Sequence, residues 1–300
     1  MDRRLCLLHA NCQGDMLRPL LEAAPAFARR FQIRQYRNYM RESMAQSELD
    51  HCALFLYQKL APKWGPLSTE QILPRLPPSA TRVEIPNLFF KGYWPFWQSG
   101  GPISFADSLL ERLLSQGPPE AALNLYLRGS AALLGDAPAL AAAAEDSIRR
   151  EEAKEADAPV RCAPLLRERW REEQLFLTVN HPGPDLILHV ADSLLRLLGM
   201  GGLPPSARRA YVHPYDDFWL PIHPGVGHAL GLPFASAERR YRVCGLRMTH
   251  ADYAAAYIAC RAHGVADLLA FLRGMSDGRM EADTRLGIRQ GACGEGPTVS

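Results

Sequence analysis

Asn11-Cys12-Gln13-Gly14 sets a thiol between two amides within four consecutive residues. Residues 4–9 before it (RLCLLH) read as a short buried strand, and after Gly14 the residues Met16, Leu17, Leu20 and Leu21 recur at helical spacing. Strand, tight turn and helix in that order put the motif at the carboxyl end of a strand, where open α/β sheets place their sites. Cys12 then stands at a helix amino terminus, whose free N–H groups and dipole stabilise a thiolate. The plainer alternative is a small cysteine that fits a tight turn. Asn180-His181-Pro182 follows a second apolar run, 175–179, so His181 is a candidate general base on the edge where Cys12 emerges, provided the two strands are parallel. His9 and then His213 are the next candidates. A third group, His213, His223 and His228 with Asp216 and Asp217, carries metal-ligand side chains at a spacing that matches no metal motif, so no metal is expected.

The elements that must position these residues alternate. Strands are expected at 4–9, 31–36, 52–57, 82–85 and 175–179, with a helix from Gly14 in which Pro19 falls within a first turn, and a short capped helix at 68–74. The expected fold is α/β: a parallel sheet of about five strands in a three-layer, flavodoxin- or SGNH-like core over residues 1–200. A helical insertion covers about 104–172, and a C-terminal extension over 201–273, with an edge strand (240–246) and a last helix (250–273), packs on the core. A loosely held tail covers 274–300. Residues 87–101 (NLFFKGYWPFWQSGG) are aromatic yet broken by Gly and Pro, which suits either a loop packed on the core or a ligand-facing wall. The charged run EDSIRREEAKEAD, 145–157, reads as the solvated face of a helix rather than a binding tract.

Composition narrows the functional classes. Lys and Arg number 34 against 32 Asp and Glu, a formal charge of +2, which offers no general polycation for nucleic acid. Seven cysteines without a CxxC pair read as reduced thiols of a cytoplasmic protein. No uncharged apolar stretch is long enough to span a membrane, and no signal-peptide pattern opens the chain.

The opening LLHANCQGDMLRPLL resembles the "GNCQ" start of the WcbI-type capsular polysaccharide biosynthesis proteins, with Ala10 where that family's glycine usually stands. Other pieces agree in order over roughly residues 4–200: Gln58, Ile85-Pro86-Asn87-Leu88 with Gly92-Tyr93 and Pro95, the Arg/Glu-rich stretch 150–157, and FLTVNHP, 176–182. The resemblance implies a bacterial cytoplasmic enzyme that binds coenzyme A and acetylates a sugar hydroxyl of a capsule or surface polysaccharide. Cys12 would be nucleophile or thioester neighbour, His181 the base, and Asn11, Gln13 and Asn87 the oxyanion or acyl-carbonyl donors. Gly14, Arg41, Gln58, Lys91, Tyr93 and Asn180 would hold the cofactor, with the aromatic segment walling its pantetheine arm or the sugar. A looser analogy to SGNH hydrolases makes Asn87 the oxyanion Asn and His181 the base, although Thr178 stands where their acid is expected. A carbohydrate acetylesterase and a non-catalytic assembly protein are the competing classes.

Overall fold

The computed structural model describes residues 2–279. The expected α/β class is what the chain forms. Strands β1 (Arg4–Ala10), β2 (Phe31–Arg37), β3 (Cys52–Tyr57) and β4 (Thr81–Glu84) make a four-stranded sheet in the order β2-β1-β3-β4, and every pairing is parallel. That order is the first four strands of the flavodoxin-like winding, whose switch point lies between β1 and β3. Cys6–Ala10 of β1 are buried, as expected for a central strand covered on both faces.

The register sets the site's edge. His9 lies opposite both Tyr36 and Tyr57, and Tyr57 opposite Glu84, so the carboxyl ends of all four strands finish in line. The ladder runs one residue further, with Gln58 N–H donating to the His9 carbonyl at 3.0 Å and Ile85 N–H to the Tyr57 carbonyl at 2.8 Å. Helix α1 (Gln13–Glu22) follows β1 directly and buries Met16, Leu17, Leu20 and Leu21. Because α1 begins at Gln13, Pro19 sits in its second turn rather than its first, where its nitrogen cannot donate to the Asp15 carbonyl.

The chain divides into two compact units that share the sequence in alternation. The first comprises residues 1–89, 148–170 and 180–214; the second 90–147, 171–179 and 215 onward. This division differs from a break at residue 200. The strand expected as the fifth member of the sheet, observed as Phe176–Thr178, falls in the second unit and is not part of the four-stranded sheet. A short apolar run signals burial, not which partner it pairs with.

Within the second unit, Phe90, Tyr93 and Phe176 are fully buried, with Phe90 and Tyr93 edge to face at 4.9 Å. The edge strand expected at 240–246 is a hairpin, Tyr241–Val243 with Leu246–Met248. Its two central residues, Cys244 and Gly245, both have positive φ (51° and 86°), as a two-residue hairpin turn requires. The single last helix is two, His250–Ala262 and Leu268–Ser276, with Gly264 at φ 66° between them. The expected tail opens inside the second of these helices, and its residues 280–300 lie outside the described residues.

Candidate active site

The turn after β1 is held by amides. Asn11 N–H donates to Gln58 Oε1 at 2.8 Å, and Asn11 Oδ1 accepts from Gln13 N–H at 2.9 Å, an Asx turn that starts α1. Gly14 N–H closes on the Asn11 carbonyl at 2.9 Å. A Cβ at Gly14 would stand 2.9 Å from Gln35 Nε2 and 3.1 Å from Ala10 Cβ, so glycine is there for close packing.

Gln13 and Gln58 form a buried clamp. Gln13 Nε2 donates to the carbonyls of Leu88 (2.7 Å) and Asn180 (3.0 Å), while its Oε1 accepts from Leu88 N–H (3.0 Å) and Gln58 Nε2 (3.1 Å). Gln58 Nε2 also donates to the Pro86 carbonyl at 3.1 Å, and the side chain is wholly buried. Both hydrogens of each amide are therefore committed. Gln13 cannot serve as an oxyanion donor, and Gln58 cannot reach a cofactor. What the clamp does is tie the turn to Leu88 and to Asn180, the residue before His181. The structure thus brings the Asn-Cys-Gln turn, Asn87 and the Asn180–His181 pair together inside the first unit.

Asn11 and Asn87 remain suited to donate. Asn11 Nδ2 gives one hydrogen to Asn87 Oδ1 at 3.1 Å, and the Asn87 side chain is exposed. His181 and Asn180 are half-buried.

Cys12 does stand at the amino end of α1, but its thiol is not activated. Burial and the nearby Asp15 carboxylate push its pKa up to about 11, while the backbone N–H groups of Cys12 and Gln13 act in the opposite direction and lose. Asp15 is anchored by Gln35 Nε2 at 2.9 Å and Arg37 Nη2 at 2.7 Å. His9, the alternative base, is buried, with its pKa pushed down to about 4 by burial and no hydrogen-bond partner for Nε2. His213 is buried too and bonds the Pro182 carbonyl at 3.0 Å.

Basic and aromatic side chains follow β2. Arg41 is exposed, in the left-handed conformation, with its guanidinium 5.4 Å from the Trp64 ring centroid. Tyr39 and Met40 beside it are exposed, and Tyr39 is close enough to Cys12 and Asp15 for their charges to raise its pKa, after the larger effect of burial. Lys91 and Tyr93 lie in the second unit instead. Lys91 N–H donates to Ser147 Oγ at 2.9 Å. Tyr93 has no exposed surface, and its hydroxyl donates to the Glu173 carbonyl at 2.9 Å, so it is a core residue and not a cofactor contact. Phe90 and Trp94 are core as well, Trp94 Nε1 donating to the Leu220 carbonyl at 3.1 Å, so this part of the aromatic segment packs inward instead of walling a ligand.

A profile described as "Polysaccharide biosynthesis enzyme WcbI" matches residues 5–203. The chain belongs to this family. A solved WcbI structure covers 95% of this chain and 97% of its own with a TM-score of 0.71 at 16% identity, a likeness that shows a shared fold. It is described as the native protein without a disulfide bond between coenzyme A and a cysteine. No curated protein matches the chain. The WcbI assignment makes the chain a polysaccharide biosynthesis enzyme.

One charged stretch was misread in the sequence. The helix Ala137–Lys154 buries Ala144, Ile148 and Glu151, and Glu155 is buried just after it, so the charged run is not wholly a solvated face. Glu151 and Glu155 line a cleft of about 620 Å³ with Lys59, Glu84 and Asn87, beside the carboxyl ends of β3 and β4. The signal was available: 144, 148, 151 and 155 share one helical face, and its carboxylates disguised it. Burial raises all three carboxyl pKa values, Glu151 to about 7 despite its 2.7 Å ion pair with Lys154.

The second unit gathers buried polar groups of another kind. Asp107 accepts from the Tyr126 hydroxyl at 2.7 Å. His223 Nδ1 accepts from Gly225 N–H, so Nε2 carries the proton and donates to the Tyr126 carbonyl at 2.9 Å. The His250 ring lies 4.6 Å from that of His223, and His250 Nδ1 and the Tyr253 hydroxyl have no hydrogen-bond partner. These residues line a cavity of about 40 Å³. Asp216 and Asp217 pair with Arg242 and Arg273, and no group of three metal-ligating side chains is gathered among the described residues. No helix among those residues is long and apolar enough to cross a membrane.

Proposed function

We propose that the chain binds acetyl-CoA at the turn after β1 and transfers the acetyl group to a sugar hydroxyl during the synthesis of a bacterial capsule or surface polysaccharide, in the cytoplasm. The observation that carries this reading is the Asn-Cys-Gln turn at the β1/β3 switch point, tied by Gln13 to Asn180 next to His181. The coenzyme A named for the solved WcbI structure supports it. The residues present fit such a cofactor: the amino end of α1 faces the turn, Arg41 offers an exposed guanidinium for a phosphate, and Trp64, Tyr39 and Met40 offer apolar surface.

Bound there, acetyl-CoA supplies an activated acyl carbon. His181 takes the proton of the attacking sugar hydroxyl as the C–O bond forms, and returns it to the sulfur as the C–S bond breaks. Asn11 and Asn87 donate their remaining amide hydrogens to the acyl oxygen. Cys12, protonated at neutral pH, sits beside the thioester rather than attacking it.

Thermal melts and calorimetry with millimolar CoA test the reading. At 100 times its dissociation constant the ligand stabilises the fold by roughly 2.7 kcal/mol, and His181→Ala keeps that shift while lowering acetyl transfer about 10²–10⁴-fold. Flat melts with flat calorimetry, or wild-type turnover in the variant, overturn it.

A further inference from the structure

Just past β4, Asn87 stands on a backbone that is held at each residue from Pro86 to Phe89, and from two sources. The amide clamp takes the even-numbered residues: Gln58 Nε2 donates to the Pro86 carbonyl, and Gln13 bonds both the carbonyl and the N–H of Leu88. Two charged side chains of the helix Ala137–Lys154 take the odd-numbered ones. Lys154 Nζ donates to the Asn87 carbonyl, and Glu151 Oε2 accepts from Phe89 N–H at 3.2 Å. The same two side chains pair with each other, Lys154 Nζ lying 2.7 Å from Glu151 Oε1. The Asn87 side chain itself is exposed and bonds Asn11.

Stability does not explain this pair. Glu151 is buried, and burial outweighs the attraction of Lys154 and raises its carboxyl pKa to about 7. The folded chain therefore disfavours the carboxylate relative to the unfolded one, and the charge adds nothing to the fold. Buried pairs often fail to repay the desolvation of their charges, and a fixed geometry is one reason to keep them. Here the geometry fixed is that of Asn87: one end of the pair fastens its carbonyl, and the other fastens the residue two further on. A donor aimed at the acyl oxygen works because it is in place before charge develops there.

We propose that Glu151 and Lys154 are positioning residues for acyl transfer: through the Asn87 carbonyl and the Phe89 N–H they hold Asn87 where its side-chain amide donates to the acyl oxygen. The proposal rests on the acetyl-transfer reading and adds to it two residues that touch neither cofactor nor sugar. They act through Asn87 alone, so their effect disappears once the Asn87 amide is removed.

The test uses the full chain at pH 8, where Glu151 is mostly ionised. Acetyl-CoA is the donor, and methyl glucoside, methyl mannoside or water the acceptor. Turnover is read as released CoA thiol, and cofactor binding as the thermal shift with CoA. Lys154→Met is expected to lower kcat by up to about 10²-fold, the cost of a small misplacement in a site, with the KM for acetyl-CoA and the CoA shift unchanged. Lys154→Arg keeps a donor for the same carbonyl and is expected to retain most of the wild-type kcat. Glu151→Gln keeps an oxygen for Phe89 N–H, so it should lower kcat while leaving the fold no less stable, a combination that loss of a merely structural contact does not give. Neither Lys154→Met nor Glu151→Gln should slow Asn87→Ala any further. Unchanged kcat in both single variants, an equal loss in Lys154→Arg and Lys154→Met, or losses that add to that of Asn87→Ala overturn the proposal and leave the acetyl-transfer reading standing. Should Lys154→Met misfold, Glu151→Gln alone and with Asn87→Ala decides. No thiol release by the wild type with any acceptor, or no CoA shift, removes the reading and the proposal together.

Discussion

The two units bury polar groups in opposite ways. In the first, buried carboxyl groups line a cleft of about 620 Å³, and burial raises their pKa values. In the second, imidazoles and phenols surround a cavity of about 40 Å³, and burial lowers His223 and His250. The second cluster leaves His250 Nδ1 and the Tyr253 hydroxyl without a partner but encloses little room, which is the economy of a core. The first lines a space large enough for a ligand with its carboxyl residues. What separates a polar core from a candidate binding site is thus the volume beside the polar groups, since desolvation and unsatisfied groups are common to both.

The largest effect expected on this contrast comes from the clamp that organises the first unit. Gln13→Ala removes partners from the Leu88 N–H and carbonyl, the Asn180 carbonyl and the Gln58 amide together. At about 1–3 kcal/mol for each buried group left unsatisfied, the loss is about 4 kcal/mol or more, measured by urea unfolding. Tyr126→Phe, which removes one hydrogen bond to Asp107 in the second unit, should lose only about 1–2 kcal/mol. Equal losses would erase the distinction.

Next is the pH dependence of Glu151. Its folded pKa of about 7 lies above the ordinary 4.5, so the folded chain keeps a proton that the unfolded chain releases between those values. Stability therefore falls as pH rises from 4.5 to 7, and the cost is fully present above 7. Glu151→Gln should be more stable than the wild type at pH 8 by up to about 3 kcal/mol, with the advantage gone near pH 4.5. Parallel unfolding curves at pH 5 and 8 would refute this.

The second unit should respond with the opposite sign. His250 and His223 are held neutral, so their contribution is present above the imidazole's ordinary value and is lost as pH falls through and below it. His250→Gln should flatten the loss of stability between pH 7 and pH 5, read by the same denaturation series, and leave the alkaline side unchanged.

These contrasts show where the sequence was legible. Strands β1 to β4 announced themselves because alternating or compact apolar runs have few other uses in a chain of this composition, and each lies within a residue or two of its expected bounds. The Asn-Cys-Gln turn was legible as a strand-to-helix junction. The reactivity assigned to Cys12 was not, because a helix terminus is local while Asp15 and burial are tertiary. The resemblance placed Gln58 and Gln13 among the ligand contacts, and their buried partners become visible only once the chain folds. Glu151 and Glu155 were hidden by their own charge: carboxylates on the buried stripe of a helix look solvated unless the period is followed through them.

The alternation of the two units along the chain has a consequence for how the protein is made. The first unit cannot close until residue 214 has been synthesised, because its segments 148–170 and 180–214 are made only after the second unit's opening stretch, 90–147. Residues 90–147 then wait for partners encoded beyond residue 215. Domains of contiguous sequence mature one after another during synthesis, but this chain has no completed half to release early. A stop after the family-matched region, at residue 203, would leave both units unfinished.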